Sequence, residues 1–312
     1  MAGALGLVLT GTTVAVEGSH AVPVYVDNSL PIVGPARACV ISTGEIPQGG
    51  GPPMAVRLAP PGAPAIGPAI PVYVVPGGGV LDTLAYTKKV QSSGPIAYWA
   101  MAESSGSVAL DSSGNGRTGA YTAVTLGAAG IGDGRTAASF DGATSFNNIY
   151  TASFDAAWTG GEFTIAGWAK VSAAGVWTDA ANRAIIRIRR SGSGDRIDLL
   201  KSSTNNEVDY IYVAGGVTKS VVLGSFSPTT YFHIAVTVSA SGDAMKAYIN
   251  GAQTGTTQNG LGAWGGVLDA TQTCVGAVST VPATVFSGTL AHVAVWNSAL
   301  SAATIANLAT VN

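Results

Sequence analysis

The chain has 312 residues, of which 47% are hydrophobic and only 10% are Asp, Glu, Lys or Arg, against about 25% in ordinary globular proteins. Fifteen basic residues against 17 acidic ones give a net charge of -2, too little positive charge for an extended polyanion-binding surface, so no nucleic acid is expected as a partner. The hydrophobic content excludes a wholly disordered chain, and the apolar runs are too short and too often broken by Gly and Pro for membrane insertion.

The first residues, MAGALGLVLTGTTVAVEGSHA, alternate Val with small or polar residues and lack a basic leading region, which fits a first strand better than an export signal. Of the 15 prolines, 12 lie within residues 1-80, a stretch with no Trp and only five charged side chains. Short apolar runs at 22-26, 38-42, 54-58 and 70-75 alternate there with Pro/Gly segments. Proline removes a ladder donor, so these runs predict edge strands, bulges or extended arms. The stretches 24-42 and 56-75 echo one another, but two copies are too few for a solenoid. They fit a small β domain or strand-exchanging arms whose poor core calls for oligomeric support, with a flexible Pro/Gly linker as the competing reading. Val24, Tyr25, Val26, Val72, Tyr73 and Val74 are the candidate contacts of such an attachment segment.

Residues 81-93 are expected to link this segment to a second domain at 94-312, with a short strand or helix in VLDTLAYTKKV at 80-90. From 94 onward, aromatic-rich runs at 163-171, 184-190, 208-214, 231-239, 244-255, 272-278 and 289-297 are separated by Gly, Asn, Asp and Ser. Such runs without intervening amphipathic helices predict an all-β, antiparallel sandwich or barrel. In KAYING, Ala247 and Ile249 fall on one face and Lys246 and Tyr248 on the other, and Asn250-Gly251 supplies a two-residue hairpin turn. Only the end reads as a helix, with Ser301 as N-cap, a Leu300-Ile305 staple and Leu308 on the same side. Cys39 and Cys274 read as buried free thiols, with one disulfide as the alternative.

Five blocks carry a family pattern: GPIAYWAMAESSGSVALDSSGNGRTGAY at 94-121, AASFDGATS at 137-145, GEFTIAGWAKV at 161-171, YFHIAVTVSASGDAMKAYINGAQTG at 231-255 and FSGTLAHVAVWNSALSAATIANL at 286-308. Through them residues 94-312 resemble the laminin G-like, concanavalin A-like jelly-roll module, which implies two curved antiparallel sheets closed by a C-terminal helix. Members of that family often bind glycans or calcium. Where its pattern carries a carboxylate after the FDG motif this chain has Asn147 and Asn148, and where it carries an Asp-Glu pair in the last strand this chain has Ala291-His292. No metal and no other cofactor is therefore expected, and Asp111, Asp133 and Asp141 read as turn-formers. The PVYVVPGGG phrase at 71-79 is similar to attachment regions of tailed-bacteriophage virion proteins. That likeness implies a head-decoration or head-fibre protein on the outer capsid surface, a homotrimer in contact with the major capsid protein. A tail fibre, or a carbohydrate-binding adhesion module that meets a host-surface glycan, is the alternative.

Chemistry-bearing constellations are sparse. Glycoside hydrolysis needs two carboxyl groups facing across a cleft, and only Glu207 and Asp209 share a predicted strand face. His20, His233 and His292 lie in or before apolar strands and read as structural, and no nucleophile elbow, phosphate loop or metal spacing occurs, so an enzyme is not expected. Arg183, Arg187, Arg189, Arg190 and Arg196 form the one charge cluster, with Arg187 and Arg189 on a single strand face. Paired with Asp195 and Asp198 they read as a solvated sheet face, with a subunit contact or an anionic glycan site as alternatives. Trp177 and Trp264 fall in predicted loops, where a ring serves as a sugar platform, a plug or a subunit anchor, whereas Trp99, Trp168 and Trp296 fall inside the family blocks, and the resemblance implies that they are buried structural residues.

Overall fold

The structure, a computed structural model, describes residues 85-192 and 194-311 and the backbone of three short strands before them, β1 (Ala38–Val40), β2 (Ala55–Ala59) and β3 (Ile70–Pro71). The chain divides into two compact units, Met1–Asp82 and Thr83–Asn312. In the first, β1, β2 and β3 pair antiparallel in that order, with Ala38 opposite Ala59 and Ala55 opposite Pro71. Proline is tolerated at that point because β3 is an edge strand. Val24, Tyr25, Val26, Val72, Tyr73 and Val74, the candidate attachment contacts, lie outside the described residues.

Two eight-stranded antiparallel sheets build the second unit. The first holds β4 (Ala97–Trp99), β7 (Thr125–Ala129), β8 (Thr136–Asp141), β10 (Glu162–Val171), β15 (Phe232–Ser239), β16 (Ala244–Ile249), β17 (Ala252–Gln258) and β19 (Ser287–Trp296), in the order β17-β16-β15-β10-β19-β8-β7 with β4 also on β19. The second runs β14-β13-β12-β11-β18-β9-β6-β5, made of β5 (Val108–Ala109), β6 (Gly119–Thr122), β9 (Phe146–Asn148), β11 (Arg183–Arg189), β12 (Arg196–Lys201), β13 (Val208–Ala214), β14 (Val217–Leu223) and β18 (Cys274–Val275). The expected all-β sandwich is therefore present. Alternation along the strands sends Ile165, Val236, Val238, Met245 and Val295 of the first sheet to meet Ile186, Ile188, Leu199 and Tyr210 of the second in one interior. Cys274 is a buried free thiol, in register with Arg187 while its neighbour Val275 faces the interior, and burial pushes its pKa up to about 12.

The first sheet is also covered on its outer face. Helix α1 (Ala85–Ser92) and helix α3 (Ala302–Leu308) lay Tyr86, Val90, Ile305 and Leu308 over Tyr98, Trp168, Tyr248 and Trp296. Stretch 81-93, expected as a linker, thus supplies a helix that packs as part of the sandwich unit. Helix α2 (Ala152–Ala157), absent from the sequence reading, is capped by the Thr151 hydroxyl, which accepts from the Phe154 N–H at 3.0 Å. The C-terminal helix forms as expected: Ser301 accepts from the Thr304 N–H at 3.1 Å, and Leu300 packs with the layer that buries Ile305. The Asn250-Gly251 turn joins β16 to β17 with φ of 48° and 83°. Glycine is required twice over at 251, since a Cβ would sit 2.9 Å from the Ala306 Cα of α3.

One bulge shapes the covered layer. Between β10 and β19 the pairing steps from Ala166 opposite Ala294 to Trp168 opposite Ala291, so Gly167 faces both His292 and Val293. His292 takes φ of 53°, and the extra residue lets Ala291 and His292 both face outward while Leu290 and Val293 stay in the interior. The imidazole is buried there with Nδ1 2.6 Å from the Tyr98 hydroxyl and Nε2 3.0 Å from Asp133. Asp133 is therefore more than the turn-former expected of it.

His233 shares this layer, 5.3 Å from the Trp168 ring, and burial lowers its pKa from 6.5 to about 3. The unfolded chain takes up that proton near pH 6.5 while the folded chain refuses it, so the associated stability is complete above pH 6.5 and is lost as pH falls toward 3. Between pH 7 and 5, with carboxylates still ionised, His233 accounts for a loss of ~2 kcal/mol. Urea unfolding across that range is expected to show a smaller loss for His233→Gln; an unchanged pH slope would contradict the assignment.

Candidate functional site

Loop carboxylates are hard oxygen donors of the kind a cation needs. Asp141 accepts from the N–H groups of Ala143, Thr144 and Ser145 at 2.8, 2.8 and 3.0 Å and from the Thr144 and Ser145 hydroxyls. Burial works to raise its pKa, but these hydrogen bonds outweigh it and hold the carboxyl far below the usual range. Asp111 accepts from the N–H groups of Tyr98, Ser113 and Arg117. Both acids fasten their own loops. Asn147 is fully buried, in register with the interior residues Tyr121 and Val275, and a Cβ on Gly119 would lie 2.3 Å from its Oδ1. Its neighbour Asn148 donates to the Ala270 carbonyl at 3.2 Å. Among the described residues no three His, Cys, Asp or Glu side chains converge on a metal-sized point.

The outward face of the second sheet carries the arginine cluster. Strand β11 sends Ile186 and Ile188 inward, leaving Arg187 and Arg189 outside, as the alternation predicts. Register then aligns Arg187, Asp198, Ile211 and Ser220 across four strands, and Arg189, Arg196, Val213 and Thr218 in the next row. Asp198, 1% exposed, receives Arg187 through two nitrogens at 2.5 and 2.9 Å and Arg196 at 2.9 Å. One carboxylate thereby offsets two guanidiniums, including one of the directly opposed pair Arg189 and Arg196. Arg189 also donates to Gln272 Oε1 at 2.7 Å, and Arg190 lies 3.4 Å from Asp195. This face offers guanidinium donors and carboxylate acceptors in fixed rows, a surface for hydrogen bonding.

Both candidate tryptophans are plugs. Trp177, expected in an open loop, lies in a short 3-10 turn, Ala174–Thr178, and is 1% exposed. Its indole N–H donates to the Pro228 carbonyl at 2.9 Å and its ring packs on Phe226 and Phe232, so it offers no sugar platform. The low polarity of AAGVW, read as a loop, is that of a segment folded onto the core. Trp264 is half-buried against Trp158, Phe163 and Tyr212, over Gly160, where a Cβ would come within 2.3 Å of the indole.

One further group escaped sequence reading. Lys201 is fully buried, its ammonium 2.7 Å from Asp179 and 3.1 Å from the Ala181 carbonyl, and a lone Lys at a strand end carries no signal of burial. Arg196 and Asp198, expected in the charge cluster and among its neutralising acids, both lie on strand β12 and pair at 2.9 Å. Asp209 is on β13 while Glu207 precedes it; burial, with Glu207 adding to it, pushes the Asp209 pKa up.

Removing Asp198 strands two guanidiniums. Asp198→Ala is expected to cost about 3-5 kcal/mol in urea unfolding, as for other broken buried pairs. Arg190→Ala, at a side chain 35% exposed, is expected to cost no more than ~1 kcal/mol. Equal losses would contradict the pairing.

Comparison with known proteins agrees with this architecture. The family model Laminin_G_3, described as the concanavalin A-like lectin/glucanases superfamily, matches residues 141-306. No curated protein matches the chain in sequence. Among solved structures, a mutant Trypanosoma rangeli sialidase displaying trans-sialidase activity is similar at 13% identity and a TM-score of 0.53, over 71% of this chain and 34% of that one. Trypanosoma rangeli sialidase in complex with sialic acid is similar at 15% identity and 0.52, over 76% and 35%. The botulinum neurotoxin serotype D binding domain is similar at 16% identity and 0.50, over 69% and 51%. The likeness thus takes in about half or less of each of those chains and concerns the fold. With more than half of its length matched by the family model, the chain belongs to the concanavalin A-like lectin/glucanase superfamily.

Proposed function

We propose that the chain is a non-enzymatic structural protein of a bacteriophage virion, a capsid-decoration or head-fibre protein. Residues 1-80 attach it to the major capsid protein and join copies into a homotrimer, and the jelly roll is displayed on the outer capsid surface. The observation that carries this reading is the union in one chain of two unlike units, a charge-poor Pro/Gly-rich segment with its own small sheet and a closed sandwich. The sandwich's prominent loop acids fasten their own turns, and its arginine face is paired with neighbouring acids, as suits a durable displayed module. The test is rebinding of the purified protein to capsids that lack it. Rebinding that disappears when residues 1-80 are removed is the expected result; rebinding by the truncated chain would overturn the attachment role, and labelling confined to tails would make it a tail fibre.

A second reading, a carbohydrate-binding adhesion module that contacts a host-surface glycan, is favoured by the family and by the exposed polar face of the second sheet. One structure of similar fold, over about a third of its own chain, is a sialidase in complex with sialic acid.

A further inference from the structure

A groove runs along the outer face of the first sheet, where β15, β16 and β17 pass the segment that leads into α3, and its volume is about 390 Å³. Thr237, Lys246, Tyr248, Gln253, Leu300 and Ser301 line it. Its wall is fixed from below: the Thr164 hydroxyl of β10 donates to the Ser298 carbonyl at 2.6 Å and accepts from the Leu300 N–H at 2.9 Å. Ile305 and Leu308 anchor the helix that follows. The floor is set by strand register, with Thr237 opposite Lys246 and Tyr248 opposite Gln253.

We propose that this groove binds a sugar ring bearing one carboxylate. Four kinds of group converge in it. Lys246 supplies a single ammonium without an ion-pair partner among the described residues. Tyr248 supplies a phenol whose ring is buried and whose hydroxyl bonds to none of the described residues. Gln253 donates its amide to Thr257 at 3.2 Å, which leaves its carbonyl oxygen as an acceptor. Thr237 and Ser301 add hydroxyls, and the Lys246 stem and Leu300 add apolar surface. Hydroxyl-rich recognition with a modest apolar contact is the chemistry of a sugar, and a groove of this size lies within the range of small-ligand sites. One ammonium matches one carboxylate, whereas a polyanion would call for several cations. The nearby acids are engaged elsewhere: Glu162 accepts from Ser241 and Ser239, and Asp243 from the N–H groups of Gly260 and Leu261. Neither lines the groove.

The proposal rests on the carbohydrate-binding reading and is independent of the virion one. Its test is amide chemical-shift mapping on the full chain titrated with D-glucuronate, with methyl glucoside as the uncharged counterpart. Saturable shifts centred on Lys246, Tyr248, Gln253 and Ser301 with glucuronate alone are expected. Lys246→Met should weaken the affinity at least tenfold and Tyr248→Phe severalfold, each with an unchanged thermal midpoint. Absence of these shifts up to ~10 mM, a free energy too weak for a built site, would overturn the proposal. So would shifts centred elsewhere or an affinity indifferent to Lys246→Met. A glycan array separates the two levels: an array ligand whose binding ignores Lys246→Met removes the groove but keeps the module a lectin, and no ligand on array or titration removes both.

Discussion

The hydroxyl of Tyr86 holds the architecture to one arrangement. A phenol that is 2% exposed must find partners inside the protein, and this one donates to the Leu308 carbonyl at 2.6 Å while accepting from the Trp168 indole at 2.7 Å. Three elements meet in that contact: α1 before the sandwich, β10 in its centre and α3 at its end. Lys89, one turn along α1, adds hydrogen bonds to the Asn307 and Thr310 carbonyls just where α3 finishes. The two helices thereby seal one outer face, bury Trp168 and Trp296 in a second layer, and set the angle at which α3 frames the Lys246 groove. The arginine rows of the other sheet remain half-exposed by comparison.

Charge is scarce in this chain, and several of the described charged residues sit in short-range sets. Asp198 serves Arg187 and Arg196, Asp179 serves Arg183 and Lys201, and Asp195 meets Arg190. Such pairs add little net stability over an apolar core, because desolvation offsets most of the attraction, but they strongly penalise arrangements that separate them. Their contribution is to the register of β11 against β12 and to the closure of the Asp179 turn over the sandwich end. Lys246 differs from these residues in standing over a groove with no acid lining it, and that contrast is what makes it a candidate for an outside charge.

The parts of the fold legible in the sequence were those set by local physics. Runs such as FTIAGWAKV and FHIAVTV read as strands because β-branched and aromatic residues dominate them, and Asn250-Gly251 read as a turn because few other pairs tolerate its backbone angles. The cap and staple of α3 were equally local. What escaped depends on distant partners. Helix α1 is short and polar, and its contacts with distant strands and with α3 distinguish it from a linker. The inward turn of Trp177 is decided by Pro228, Phe226 and Phe232, far along the chain. Asp133 sits in a GDG stretch that reads as a turn, and its approach to His292 follows from a bulge between strands well over a hundred residues apart in sequence. The groove was illegible for the same reason, since Lys246 and Ser301 become neighbours only after α3 docks.

The claim that one buried hydroxyl couples both helices to the sheet is tested most directly by hydrogen exchange on Tyr86→Phe, which removes the donor and acceptor but keeps the ring. The account predicts a stability loss of about 1-3 kcal/mol, as for a buried group left unpaired, with amides of α1 and α3 exchanging faster together. Faster exchange in α1 alone, with α3 as protected as before, would contradict it.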